Sequence, residues 1–160
     1  MMNTDKLNRW LTLAANVGVL VGLFLLVAEL RQTNAIAKAE AINVMTQNTY
    51  TILQGYRDAR NIAALNRVEE VGWDGLNYEE QLLLSSVEAM FMNHVQNAYY
   101  QHELGIFDDG QFDAAVWNMD ESLQSPWRRT NWENMKDSYT ESFRSFVEAR
   151  LEAMAENPAK

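Results

Sequence analysis

The chain has 160 residues and a formal net charge of −9, because 22 acidic side chains outnumber 13 basic ones. An acidic surface repels phosphate backbones, so we expect no binding to nucleic acid. The sequence contains no cysteine, which excludes disulfides, thiolate metal sites and cysteine nucleophiles.

An apolar stretch dominates the N-terminal part of the chain. Residues 11–30 are interrupted only by Thr12, Asn16 and Glu29, and twenty residues at helical rise cover roughly 30 Å, the thickness of a bilayer core. We predict an N-terminal tail over 1–9 and a transmembrane helix over 10–31. The protein is therefore expected in the bacterial inner membrane as a single-pass protein, with membrane lipid as a partner and its soluble side undetermined.

A cleaved signal peptide is the alternative interpretation of the same stretch. Lys6 and Arg9 form a basic n-region, and Ala35 and Ala37 resemble a small-residue cleavage site. We favour the anchor because the apolar stretch exceeds the usual length of a signal-peptide core, about 7 to 15 residues.

Small residues recur on one face of the predicted anchor. Ala15, Gly18 and Gly22 fall at three- and four-residue steps, and the two glycines form a GxxxG motif that permits close helix packing. We expect helix association here, with Asn16 available for a hydrogen bond between helices. The alternative is that glycine is simply common in membrane helices.

The remaining chain shows helical spacing throughout. We predict helices over 32–56 and 59–71, a turn over 72–75, and a long central helix over 78–104 that begins with a capping box of Asn77 and Glu80. Its apolar residues surround more than one face, so several neighbours should pack against it.

The C-terminal part continues the same pattern. Gly105 should end the central helix and Asp108 should cap the next one, while Ser125 and Pro126 begin a segment over 127–156. We expect an interruption of this segment near 131–134 and its end at 157–158. With no β pattern, we predict an all-α fold in which the transmembrane helix continues into an acidic antiparallel helical bundle over 32–157.

Three stretches carry a resemblance to a known group. Residues 21–34 (VGLFLLVAELRQTN), 97–112 (NAYYQHELGIFDDGQF) and 126–132 (PWRRTNW) occur in that order, and the chain resembles small uncharacterised bacterial membrane-anchored helical proteins. The resemblance implies an N-terminal anchor with a helical domain. It carries over no activity.

Two histidines offer the obvious metal ligands. His94 and His102 lie on the central helix, and Glu88 or nearby acids could join them, but no metal-binding spacing is present. We favour a core or capping role for these histidines and predict no metal and no cofactor.

A polar and aromatic cluster lies at the C-terminal end of the central helix. Asn97, Tyr99, Tyr100 and His102 could bind a small polar ligand between helices. They could equally form a hydrogen-bonded layer that fixes the register of the bundle, and we favour that role.

A basic and aromatic patch begins the last segment. Trp127, Arg128, Arg129 and Trp132 stand at a helix N-terminus, where an anion could bind or the indoles could lie in a membrane interface. We favour the structural alternative, in which Arg128 stacks on Trp132 and Arg129 pairs with an acid.

The sequence holds no recognisable catalytic motif. We therefore expect an interaction or scaffold protein, assembling with itself or as an accessory subunit of a membrane complex. A small-molecule sensing module coupled to the anchor helix is the alternative. A hydrolase would require two facing carboxylates in a cleft.

Overall fold

A computed structural model describes residues 4–156, and these residues are helical almost throughout, with no β-strand among them. The all-α prediction is thus confirmed. The six α-helices of the described chain are α1 (Thr4–Arg57), α2 (Ala59–Val71), α3 (Tyr78–Glu103), α4 (Asp109–Ser122), α5 (Pro126–Met135) and α6 (Glu141–Glu156). Short 3₁₀ turns lie at Trp73–Gly75 and Lys136–Ser138.

The chain divides into two compact units, Met1–Glu40 and Ala41–Lys160. In the first unit, the described residues belong to α1, and the side chains of its apolar stretch are exposed. Within the described chain, α1 is the one helix long and apolar enough to cross a membrane, on length and composition alone. The second unit holds the end of α1 and all the other helices.

The second unit is built around α3, which contributes to each of its three apolar clusters. The largest cluster joins α3, α4, α5 and α6, and its members are Met92, Val95, Met119, Leu123, Trp132, Tyr139, Phe143 and Val147. A second gathers residues of α2, α3 and α5 with Leu76 between them; its members are Ala64, Val68, Leu76, Leu84 and Trp127. The expectation that several neighbours pack against the central helix is confirmed.

The predicted helix starts are found where local chemistry requires them. Asn77 Oδ1 accepts a hydrogen bond from the Glu80 amide at 3.0 Å, and Glu80 Oε2 accepts one from the Asn77 amide at 2.9 Å. Asp108 and Gln111 make the same reciprocal pair at the start of α4. These bonds satisfy backbone donors that a helix leaves free at its first turn.

The last segment is interrupted, but just beyond the predicted range 131–134. Asn131 and Trp132 lie inside α5, and the chain breaks instead at the 3₁₀ turn Lys136–Ser138. Asn131 is buried and its Oδ1 accepts a hydrogen bond from Ser85 at 2.7 Å, so its side chain does not compete for the helix backbone. The predicted end at 157–158 lies outside the described residues.

Candidate functional site

A buried ion pair joins α3 to α5 inside the second unit. Arg128 Nη1 lies 2.6 Å from Glu88 Oε1, and the Glu88 side chain is 5% exposed. The Tyr56 hydroxyl, at the end of α1, donates to the same carboxylate oxygen and accepts from Arg128 Nη1 at 3.2 Å. Arg128 Nη1 also lies 3.2 Å from Ser122 Oγ of α4. Four helices therefore meet at one charged group.

Burial dominates the ionisation of this network. It raises the pKa of Glu88, although the Arg128 charge and the hydrogen bond from Tyr56 both oppose the shift. It also raises the pKa of Tyr56, and the Glu88 charge adds to that effect. A buried acid keeps its charge only when a cation and hydrogen bonds compensate for the lost water, so the pair depends on both partners.

A cleft of about 270 Å³ opens beside the ion pair. Residues of α1, α3, α4 and α5 surround it, and its apolar wall is provided by Ile52, Leu53, Phe91, Val95 and Ala115. Polar groups complete the lining: Thr49, Tyr56, His94, Asn118, Ser122 and Arg128. An apolar wall with a few convergent polar groups is the usual composition of a small-molecule site.

His94 is the least satisfied polar side chain of this cleft. Its Nδ1 is buried without a hydrogen-bond partner, and the described residues provide none to either ring nitrogen. Burial lowers the pKa of His94, which favours the neutral ring. His94 also lines two further recesses, one lined by Asn97 and one by Phe107, so it borders the cleft and both recesses.

The four residues predicted at the end of α3 point to different neighbours. Asn97 Nδ2 lies 3.3 Å from Met45 Sδ, and the Tyr99 ring packs among aromatic rings of α4 and α6. The Tyr100 hydroxyl lies 2.5 Å from Thr140 Oγ1, and His102 Nε2 lies 3.0 Å from Asp109 Oδ1. These contacts do not converge on one cleft.

The basic and aromatic patch is largely internal in the structure. Trp127 and Trp132 are 5% and 2% exposed, so neither indole is presented to a membrane interface. Arg128 lies over the Trp127 and Tyr56 rings, at 4.8 and 5.5 Å from their centroids, whereas Trp132 stacks on Tyr139. The expected stacking of Arg128 on Trp132 is wrong, because the guanidinium turns inward to Glu88.

Arg129 also differs from its prediction. Its Nε donates to the Leu123 carbonyl at 2.6 Å, and the described chain gives it no acidic partner. It thereby caps the end of α4, where backbone carbonyls lack helical partners. Ser125 occupies the cap position before Pro126, but its side chain makes no capping bond and its Oγ is buried without a partner.

The predicted association face lies in the first unit. A Cβ atom added at Gly18 or Gly22 would meet nothing within 4 Å, so the face around them is open in the single chain. Asn16 lies roughly 160° from Gly18 around a regular helix. The hydrogen bond between helices through Asn16 stays a prediction, and it would use a different side of α1 from the glycine face.

The described residues contain no group of three or more His, Cys, Asp or Glu side chains placed to share a metal ion. His102 stacks on Phe112 with ring centroids 4.3 Å apart, as well as contacting Asp109. Asp108 is used in the cap of α4. His102, Asp108 and Asp109 thus each have a contact within the fold.

Sequence reasoning missed Tyr56 and Ser122 as site residues and considered Glu88 only as a metal ligand. One signal was available: Glu88 stands in the stripe of Leu84, Val87 and Met92, where an acid needs a buried cation. Nothing in the sequence indicated which of the arginines would supply it.

Comparison of the chain with protein-family models, curated proteins and solved structures found no match.

Proposed function

We propose that the protein is a single-pass, membrane-anchored interaction protein whose helices beyond residue 40 form an acidic antiparallel bundle. The observation that carries this proposal is the exposure of the apolar stretch of α1, whose large side chains from Leu11 to Leu30 are each about half exposed or more. A contiguous apolar surface of this extent is unfavourable in water and favourable in the hydrocarbon core of a bilayer. The resemblance to bacterial anchored proteins favours the bacterial inner membrane.

Self-association through the glycine face is the proposed mode of assembly. Gly18 and Gly22 leave room for a second backbone, and close backbone packing drives helix association in lipid. The acidic domain would then be displayed in at least two copies. A partner subunit of a membrane complex could occupy the same face.

The native mass of the full chain, extracted gently from its own membrane, tests both parts. Resistance to alkaline carbonate washing and a mass above one chain, with or without a second protein, support the proposal. Release by carbonate, or a monomer with no associated protein, contradicts it.

Variants then identify the associating face. We expect the double substitution Gly18→Leu and Gly22→Leu to abolish self-association while leaving membrane insertion intact. Leu20→Phe adds bulk roughly 160° around the helix from Gly18 and is the matched control. If the double variant and the control associate equally well, the glycine face is not the contact between copies.

A small-molecule sensing module remains the second candidate, and the cleft beside Arg128 is the observation that favours it. Thr49, Ile52 and Tyr56 of α1 form part of its wall. Because α1 also carries the apolar stretch, an occupied cleft would act directly on the helix that bears the anchor.

A further inference from the structure

The cleft beside the ion pair has the composition of a site for one particular class of ligand. This cleft lies within the second unit and is independent of membrane anchoring and assembly, although a ligand bound there would serve the sensing alternative. Three features indicate this class: unused donors on Arg128, the apolar lining of the cleft, and the unpaired nitrogens of His94.

Arg128 uses only one of its three nitrogens within the fold. Nη1 serves Glu88, Tyr56 and Ser122, whereas Nε and Nη2 donate no hydrogen bond to any described residue. The side chain lines the cleft and is 19% exposed. The Nε and Nη2 hydrogens form the planar fork that matches the two oxygens of a carboxylate.

The apolar wall defines the rest of the ligand. Ile52, Phe91 and Ala115, from three different helices, line the same cleft as Arg128. Its volume of about 270 Å³ lies just below the range of roughly 300 to 1,000 Å³ for drug-sized ligands. The body that fits is therefore small and compact, such as one ring or a short branched chain.

The third feature of the cleft is the lack of hydrogen-bond partners for the His94 ring. Polar groups in protein interiors normally have partners, but the buried Nδ1 of His94 lacks one, and Nε2 has none within the described chain. Nδ1 is buried away from the cleft, whereas Nε2 is accessible and is the nitrogen to which a bound ligand or its associated water would hydrogen-bond. The apolar side chains and the unpaired groups of Arg128 and His94 thus line the same cleft.

We propose that this cleft binds a small monocarboxylate with a compact apolar body, its carboxylate held by the Nε and Nη2 donors of Arg128 and its body against Phe91 and Ala115. Glu88 then contacts the Nη1 edge of the guanidinium, and the ligand contacts the edge formed by Nε and Nη2. Tyr56 and Ser122 hold the Nη1 edge in place and so orient the free edge.

Isothermal titration of the full chain in mild detergent micelles tests the proposal with phenylacetate and isovalerate as probes. We expect at least one to bind with a Kd of about 1 mM or below, as suits so small a ligand. The matching neutral amides, phenylacetamide and isovaleramide, should bind at least about tenfold more weakly, because charge-assisted hydrogen bonds are roughly twice as strong as neutral ones.

Ala115→Leu is the blocking variant, since Ala115 lines the cleft and takes no part in the ion pair. It should weaken binding by about tenfold or more and keep the melting temperature of the parent. Ala153→Leu, at an exposed position of α6, is the matched control and should bind normally.

Three results would overturn the proposal: no binding of either acid, equal binding of an acid and its amide, or unchanged binding in Ala115→Leu. Unchanged binding in Ala115→Leu would mean that the measured heat comes from partition of the acid into the detergent micelles. The anchoring proposal is tested by a different measurement, the native mass of the extracted protein. A negative titration therefore leaves that proposal unaffected.

Discussion

The ion pair between Glu88 and Arg128 gives the most direct test of the fold. Replacing Arg128 with Met keeps much of the side-chain volume but strands a carboxylate that is 5% exposed. Breaking a buried pair from one side costs about 3 to 5 kcal/mol. Because the Arg128 side chain retains 19% exposure, we expect the lower end, about 3 kcal/mol, or a fall in melting temperature of roughly 10 °C.

Near-ultraviolet circular dichroism of the full chain in mild detergent measures this loss, since Trp127 and Trp132 are both buried in the second unit. Arg144→Met is the matched control. Its partner Asp137 is 91% exposed, so the control should lose no more than about 1 kcal/mol. Equal losses in the two variants would refute the argument.

The pH dependence of the variant provides a second check. Burial already raises the pKa of Glu88, and removing Arg128 takes away the principal opposing effect. The folded variant therefore binds a proton more tightly than the unfolded chain does. Its stability deficit should be largest at pH values above the raised pKa of Glu88 and should shrink as the pH falls through that pKa. A deficit that grew towards acid would contradict this account.

The double variant Glu88→Leu with Arg128→Met separates stability from pairing. Replacing both partners by apolar groups is often neutral or stabilising, so we expect it to melt above either single variant. A double variant less stable than both single variants would show that the charges themselves are required.

Three further predictions concern local structure, and thermal melting of the same preparation checks each one. Phe143→Ala should cost about 3 to 5 kcal/mol, because Phe143 is fully buried in the largest cluster; a loss below about 1 kcal/mol would contradict its placement. Asn77→Ala should cost about 1 kcal/mol through the lost cap of α3, and unchanged melting would count against the capping box. Gly105→Ala should cost about 1 kcal/mol or more, because Gly105 has a φ of +67°, whereas Gly110→Ala, inside α4 with ordinary space for a Cβ, should be neutral or stabilising.

Local chemistry was sufficient to predict most helix boundaries. Asn77, Asp108 and Gly105 act within their own turn of helix, so their effect is visible in a few adjacent residues. The apolar spacing of α3 likewise follows from helical period alone. The interruption predicted near 131–134, which lies instead at Lys136–Ser138, shows the limit, because Asn131 has its partner Ser85 on another helix.

The sequence by itself determined the all-α class, the helix caps and an apolar stretch long enough to span a bilayer, because each depends on residues within a few turns of one another. Only the tertiary structure decided that Arg128 turns inward to Glu88, that both tryptophans of its helix are buried, and that a cleft forms beside His94. Those outcomes depend on which helix faces meet. Many pairings bury the same apolar stripe, and the packing of whole helices selects among them.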